Sequence, residues 1–232
     1  MNETEHKIRG VITGDIVNST SIPMNLRSEL LHTINDIIFD IKEKLHNEYE
    51  IRHTNETDYQ ISFEFYRGDS FQILVSRPER ALEIAVLIRA GLRKSTPAGY
   101  HKKWDARLSI GIGTVEYNKD RLSISDGKAY QYSGREFEKL GKNRLAIKTP
   151  WEEVNDDLKL NTLFADDIIS NWTPLQSEAI YTSILDEKTQ EDIAKEFCKS
   201  RQNINKLLTN AKENLIRMYI ERFVRLIDRN NK

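Results

Sequence analysis

The sequence has almost no cysteine and no long apolar run. A single cysteine among 232 residues, Cys198, excludes an internal disulfide and a cysteine-based zinc site, in accord with a reducing compartment. It reads as a small buried residue. No apolar stretch is long enough to cross a bilayer, and the polar opening residues 1–7 lack the apolar core of a secretory leader. A cytoplasmic protein with no membrane partner is expected. Net charge is also nearly absent, at −1, but its distribution is uneven. Between 151 and 167, Glu152, Glu153, Asp156, Asp157, Asp166 and Asp167 face only Lys159. From 199 onward lysine and arginine dominate. A basic end after an acidic joint suits a nucleic-acid-binding tail, and equally two solvated helix faces.

What is present is an ordinary globular composition, 38% hydrophobic and 31% charged, enough for a substantial core and a small accessory domain. The most informative stretch is residues 61–75. Ile61, Phe63 and Phe65, then Phe71, Ile73 and Val75, follow the two-residue period of half-buried strands around Arg67-Gly68-Asp69-Ser70. A hairpin is predicted, with Asp69 at its tip. Asp15 closes another apolar run, residues 8–16, and would lie beside Asp69 if the two strands share a sheet. Two carboxylates at a sheet edge can hold divalent metals over a triphosphate, although a Gly-Asp pair can also be a turn and nothing more.

In order, the first strand leads into Asn18, Ser19 and Thr20 and a long helix from about Pro23, with Leu26, Leu30, Ile34, Ile37, Ile38, Ile41 and Leu45 as its stripe. His46 and His53 fall in or near a polar connection to the hairpin. A second helix follows Pro78, then a strand at 107–115 whose Gly111 and Gly113 suggest close approach of another chain or a ligand. A helix from about Asp126-Gly127 and a strand at 144–148 complete a β-α-β-β-α-β-α-β order. A mixed sheet with its helices on one face is the expected α+β arrangement, a ferredoxin-like palm over 1–149. Residues 150–172 read as an acidic linker. Residues 173–232 read as an all-α helix-turn-helix domain, with Thr173, Thr189 and Ser200 as helix caps. There Ser200, Arg201, Gln202, Asn203, Asn205 and Lys206 would meet DNA. The competing reading is a helical bundle used for dimerisation.

These residues carry two resemblances. The part through about Lys148 resembles the SatD family, and its motifs are similar to the palm domains of class III nucleotide cyclases and GGDEF-type diguanylate cyclases. The resemblance implies metal ligands at Asp15, the Ile16 carbonyl and Asp69, with Mg or Mn as cofactor. It implies transition-state residues at Gln131 and Arg135, spaced from Gly127 as in the cyclase helix, with Gln131 replacing the usual Asn. Nucleotide contacts are expected from Asn18, Ser19, Thr20, Arg67, Gly68 and Gly127. Phe65 and Ile124 stand where cyclases carry base-reading Lys and Asp, which speaks against ordinary purine cyclisation. Residues 173–219 resemble region four of sigma factors. Together they imply a cytoplasmic, homodimeric DNA-binding transcriptional regulator with a metal-nucleotide sensor. The alternatives are an active nucleotidyl cyclase or nucleotidyltransferase, and a degenerate palm that only dimerises.

Overall fold

The structure, a computed structural model, describes residues 7–52, 60–116 and 126–231, with the side chains of 48–52 and of Arg67 left out. Strands β1 (Ile8–Ile16), β2 (Ile61–Arg67), β3 (Ser70–Val75), β4 (Ala106–Thr114) and β5 (Leu145–Lys148) form one sheet in the order β2-β3-β1-β4-β5. Only the β4–β5 pair is parallel. Helices α1 (Met24–Arg52), α2 (Ala81–Lys94) and α3 (Lys128–Lys139) are interleaved in the expected order. The alternation of 61–75 forms its hairpin, closed by Gly68 at φ 55, a conformation that favours glycine.

The helices do not share one face. Ile12, Ile73 and Ile110 belong to the large core with α1 and α2, whereas Val11 and Leu74, one residue out of phase, pack with Ala129 and Tyr130 of α3. Successive strand residues face opposite ways, so α3 covers the other side of the sheet. Gly111 makes this possible. A Cβ there would stand 2.1 Å from the Ala129 carbonyl oxygen, and Thr13 reaches Ser133 of α3 at 3.0 Å. The glycines of β4 thus admit a helix of the same chain, which is the close approach their presence suggested.

The stretch 150–172 is also not a linker: it is helix α4 (Glu152–Asn171), burying Val154, Leu158, Thr162, Ala165 and Ile169. After it come α5 (Pro174–Leu185), α6 (Gln190–Glu196), α7 (Arg201–Asn210) and α8 (Glu213–Asn230). Helix α2 is buried on every side from Ala81 to Arg93, because α1 and the sheet cover one flank and α5 another. An apolar helix of this kind belongs inside a core. A single cluster of buried side chains accordingly runs from Ile12 to Ile227, and the tail packs directly on the palm. Helix α1 extends to Arg52, so His46 is an exposed helical residue, and His53 lies outside the described residues. Cys198 is exposed, at φ 51 in the turn after α6, not buried.

Candidate functional site

Asp15 is the last β1 residue paired with β3, opposite Ser70, so Asp69 in the adjoining turn sits next to it at the same sheet edge. The β1–β3 register therefore brings both residues to one sheet edge. Across β1 on the other side, Asp15 pairs with Arg107 of β4, whose Nε donates to Asp15 Oδ1 at 2.9 Å while its Nη2 donates to Oδ2. Hydrogen bonding to Asp15 raises the Arg107 pKa above the usual arginine value; partial burial opposes this, and the charges of Asp15 and Asp69 add to it. Asp69 therefore acts on the same guanidinium. Phe137 of α3 lies beneath it, with its ring centre 5.2 Å from Cζ.

The β1–α1 turn borders this edge. Asn18, in the left-handed region at φ 57, and Thr20 are exposed, while Ser19 is buried at the start of a single 3₁₀ turn. Lys102 donates to Ser21 Oγ at 3.1 Å, and Arg27 Nη2 stands 3.7 Å from where a Cβ on Gly68 would be. Arg107 thus holds Asp15 and feels Asp69, Arg27 stands by the β2–β3 turn, and Lys102 joins the β1–α1 turn. None of these three cations was singled out from sequence, because each needs the β1–β4 register or a loop contact to be placed. Arg67 ends β2, and its side chain lies outside the described residues.

Gln131 and Arg135 do not join this edge within one chain. Ser133 faces the sheet, and each of the two lies two residues from it, about 200° around the helix at ~100° per residue. Arg135 is accordingly exposed. Gly127 precedes α3 at φ 133, with Thr114 backbone 2.4 Å from a hypothetical Cβ, a packing requirement in its own right. Ile124 lies outside the described residues.

In the C-terminal helices, α6 and α7 are joined by a short turn, and their caps form as the sequence indicates. Thr189 Oγ accepts from the Asp192 amide and Ser200 Oγ from the Asn203 amide. Ile204 and Leu208 are buried, whereas Arg201, Gln202, Asn203, Asn205 and Lys206 are all exposed. Gln190 of α6 contacts Asn205 at 3.4 Å.

Among solved structures, the chain is similar to the active GGEEF domain of a diguanylate cyclase from Vibrio cholerae, at 14% identity over 61% of this chain and 83% of that one, with a TM-score of 0.40. It is also similar to the non-canonical dimeric guanylyl cyclase domain of the RhoGC fusion protein from Blastocladiella emersonii (16% identity, 56% and 72% covered, TM-score 0.34). A third is the adenylyl cyclase CyaB from P. aeruginosa (15% identity, 57% and 72% covered, TM-score 0.33). These likenesses assign neither activity nor ligand. No family model and no curated protein matches the chain, so the resemblance to SatD proteins rests on its motifs alone.

Between the sheet edge and the tail lies a buried charge cluster that sequence reasoning missed. Asp105, fully buried just before β4, accepts from Arg89 Nε (2.9 Å) and Nη2 (3.0 Å), Arg93 Nη1 (2.9 Å) and Arg144 Nη1 (2.8 Å). Arg89 Nη1 also reaches Asp166 of α4 at 2.6 Å, and Arg93 Nη2 donates to the carbonyls of Ser170 (2.7 Å) and Trp172 (2.6 Å). Burial alone would raise the Asp105 pKa, but Arg89, Arg93 and Arg144 outweigh it and hold the carboxyl below its usual range. The Asp105 carbonyl accepts from the Val17 amide at 2.9 Å, two residues beyond Asp15. A continuous set of bonds therefore links the sheet edge to α4.

A divalent cation would find hard oxygen donors at this edge in Asp15, Asp69 and the Ile16 carbonyl. Val17 bonds toward β4, so the backbone alternation turns the polar groups of Ile16 toward the β2–β3 turn. Among the described residues no group of three or more His, Cys, Asp or Glu side chains forms a ready-made centre. The donor set fits an ion completed by ligand phosphate oxygens, once Arg107 shares or releases Asp15.

Proposed function

We propose that the protein is a DNA-binding regulator whose sheet edge senses a phosphorylated ligand, a metal-bound nucleotide being the class that suits it best. Asp15, Asp69 and the Ile16 carbonyl would hold Mg or Mn, which would neutralise phosphate charge. The residues of this chain supply the remainder. Arg107, Arg27 and Lys102 offer guanidinium and ammonium donors to phosphate oxygens, and the exposed side chains at Asn18 and Thr20 line the approach. Helix α7 would offer Arg201, Gln202, Asn203, Asn205 and Lys206 to a DNA groove, with Ser200 capping it toward a phosphate.

The observation that carries the sensor reading is the bond path from Val17 through Asp105, Arg89 and Arg93 to Asp166, Ser170 and Trp172. Engaging Asp15 would pull Arg107 and the start of β4, which Asp105 immediately precedes. The test is DNA affinity of the full chain at one salt concentration, with and without saturating nucleoside triphosphate and Mg. A several-fold change, abolished in Asp69→Asn, is expected. Unchanged affinity despite measurable nucleotide binding removes the coupling, and absent nucleotide binding removes the sensor. Arg201→Ala with Lys206→Ala should weaken DNA binding and flatten its salt dependence.

The adjacency of Asp15 and Asp69 favours a second reading, an active cyclase or nucleotidyltransferase. Gln131 and Arg135 would then have to come from a second copy, since within one chain they face away. Incubation with each nucleoside triphosphate and Mg or Mn decides this, a product lost in Asp69→Asn supporting the enzyme.

A further inference from the structure

Exposed large apolar side chains occur on several elements, Met24 and Phe39 of α1, Tyr66 of β2 and Leu175 of α5 among them, and α4 and α8 together carry the largest group. Of those among the described residues, Leu160, Leu163 and Phe164 lie on α4 and Leu215 and Met218 on α8, with Phe164 at 61% and Met218 at 55% exposure. The two helices run antiparallel. Asp157 bonds Arg222, Thr162 bonds Tyr219, and the Trp172 indole bonds the Ala211 carbonyl. The groove between them, about 650 Å³, is lined centrally by Phe164, Ile168, Leu215 and Met218. Phe164, Leu215 and Met218, all exposed along one groove and rimmed by charged residues, make it a candidate interaction surface.

Its rim is charged, and differently at each end. Arg225 lines one end; among the described residues it has no ion-pair partner. Asp167 lines the other end, exposed and bonded only within its own helix to Asn171. Continuing from the Asp157–Arg222 contact of the antiparallel pair, Arg225 lies about level with Val154, and the midpoint between Arg225 and Asp167 falls within about one turn of Phe164 and Met218. A twofold axis through that midpoint lays Arg225 of each chain on Asp167 of the other, with both apolar centres face to face. Such a surface is complementary to itself.

We propose that the α4–α8 face is the dimer interface of this protein and that its occupant is a second copy of the chain. Phe164 and Met218 form the desolvated centre, where aromatic and thioether side chains contribute most, and the two Arg225–Asp167 pairs fix the antiparallel register. The proposal is independent of the ligand and DNA readings, which use none of these residues.

The test is sedimentation equilibrium of the full chain over a wide concentration range. The wild type is expected to be dimeric, and Phe164→Glu to shift association by a hundredfold or more at unchanged helix content. Phe164 is exposed, so its replacement leaves the core intact. Asp167→Arg and Arg225→Asp should each be monomeric alone, because the same charge meets itself twice across the axis. Mixing the two variants should restore a heterodimer, in which both contacts regain opposite charge. A wild type that stays monomeric, or a dimer that survives all three substitutions and so uses another face such as the palm, overturns the proposal. Failure of the mixed pair to associate overturns the register.

Discussion

Two aspartates near the same end of the β1–β4 ladder, Asp15 within it and Asp105 just beyond it, are both held by arginine and have opposite roles. Asp15 and its partner Arg107 keep side-chain exposures of 16% and 37%, whereas Asp105 and Arg89 have none. Asp105 stands only two residues before Arg107, just outside the strand. The chemistry is the same and the surroundings differ. In reach of water, an arginine–aspartate pair can be exchanged for a pair with a ligand at little cost. Sealed between α2, α4 and the sheet, neither partner has a substitute, and loss of one leaves the other charged and dry. The largest expected effect follows. Asp105→Ala should lower the unfolding free energy by about 3–5 kcal/mol in urea titration, whereas Asp15→Ala should change it by about 1 kcal/mol or less. Equal losses would break the comparison.

Acid should separate the two regions next. The Asp105 pKa is lowered in the folded state: burial pushes it up, and the Coulombic pull and hydrogen bonds of its arginines overcome that push. A carboxyl depressed on folding binds more protons when unfolded. Its stabilisation is therefore complete above the unfolded value of about 3.9 and is lost as pH falls through the lower, folded value. Stability should be flat from neutral pH down to about 5 and decline below about 4. In Asp105→Asn the decline over that window should shrink. The midpoint of urea unfolding at each pH measures both, and an equal acid decline in the two proteins would remove Asp105 as its source.

The contrast also explains what could be read from the sequence. Strand alternation around Gly68, the run ending at Asp15 and the caps at Thr173, Thr189 and Ser200 are local patterns, and each forms as read. The convergence of Asp15 and Asp69 needed only that two strands pair. Helix α4 was hidden because its carboxylates suggested a solvated joint, although Val154, Leu158, Thr162, Ala165 and Ile169 keep helical spacing and Asp166 is itself buried. Arg89 and Arg93 carry no local sign of burial in the helical pattern of α2. Their partners Asp105, Asp166 and Ser170 lie 12 to 81 residues away in sequence, and nothing local announces such pairs. Arg107 escaped notice for the related reason that its significance lies in its register opposite Asp15.

At the exposed pair, the comparison can be sharpened with a ligand. Arg107→Ala should weaken binding of Mg-bound nucleoside triphosphate about tenfold, roughly 1.4 kcal/mol, by removing a charge-assisted donor to phosphate. Its melting temperature should stay close to that of the wild type. Calorimetric titration alongside thermal unfolding measures the two, and a variant that melts early with unaltered affinity would give Arg107 the structural role assigned to Asp105.

The smallest effect asks whether burial or charge sets the size of the first. Tyr219 of α8 and Thr162 of α4 form a buried hydroxyl pair at 2.5 Å, and neither group is ionised. Burial raises the Tyr219 pKa, so it stays protonated. Because Thr162 donates to the Leu158 carbonyl at 2.7 Å, it accepts from Tyr219, and Tyr219→Phe removes one donor without leaving Thr162 bare. A neutral buried bond of this kind contributes about 0.5–1.5 kcal/mol. Urea unfolding of Tyr219→Phe should therefore show a loss of about 1 kcal/mol, a small part of that in Asp105→Ala. If the two losses match, enclosure alone determines the cost and the charges of the cluster add nothing. If they differ by the expected factor, the cost at Asp105 comes from guanidinium groups that cannot reach water once their common carboxylate is gone.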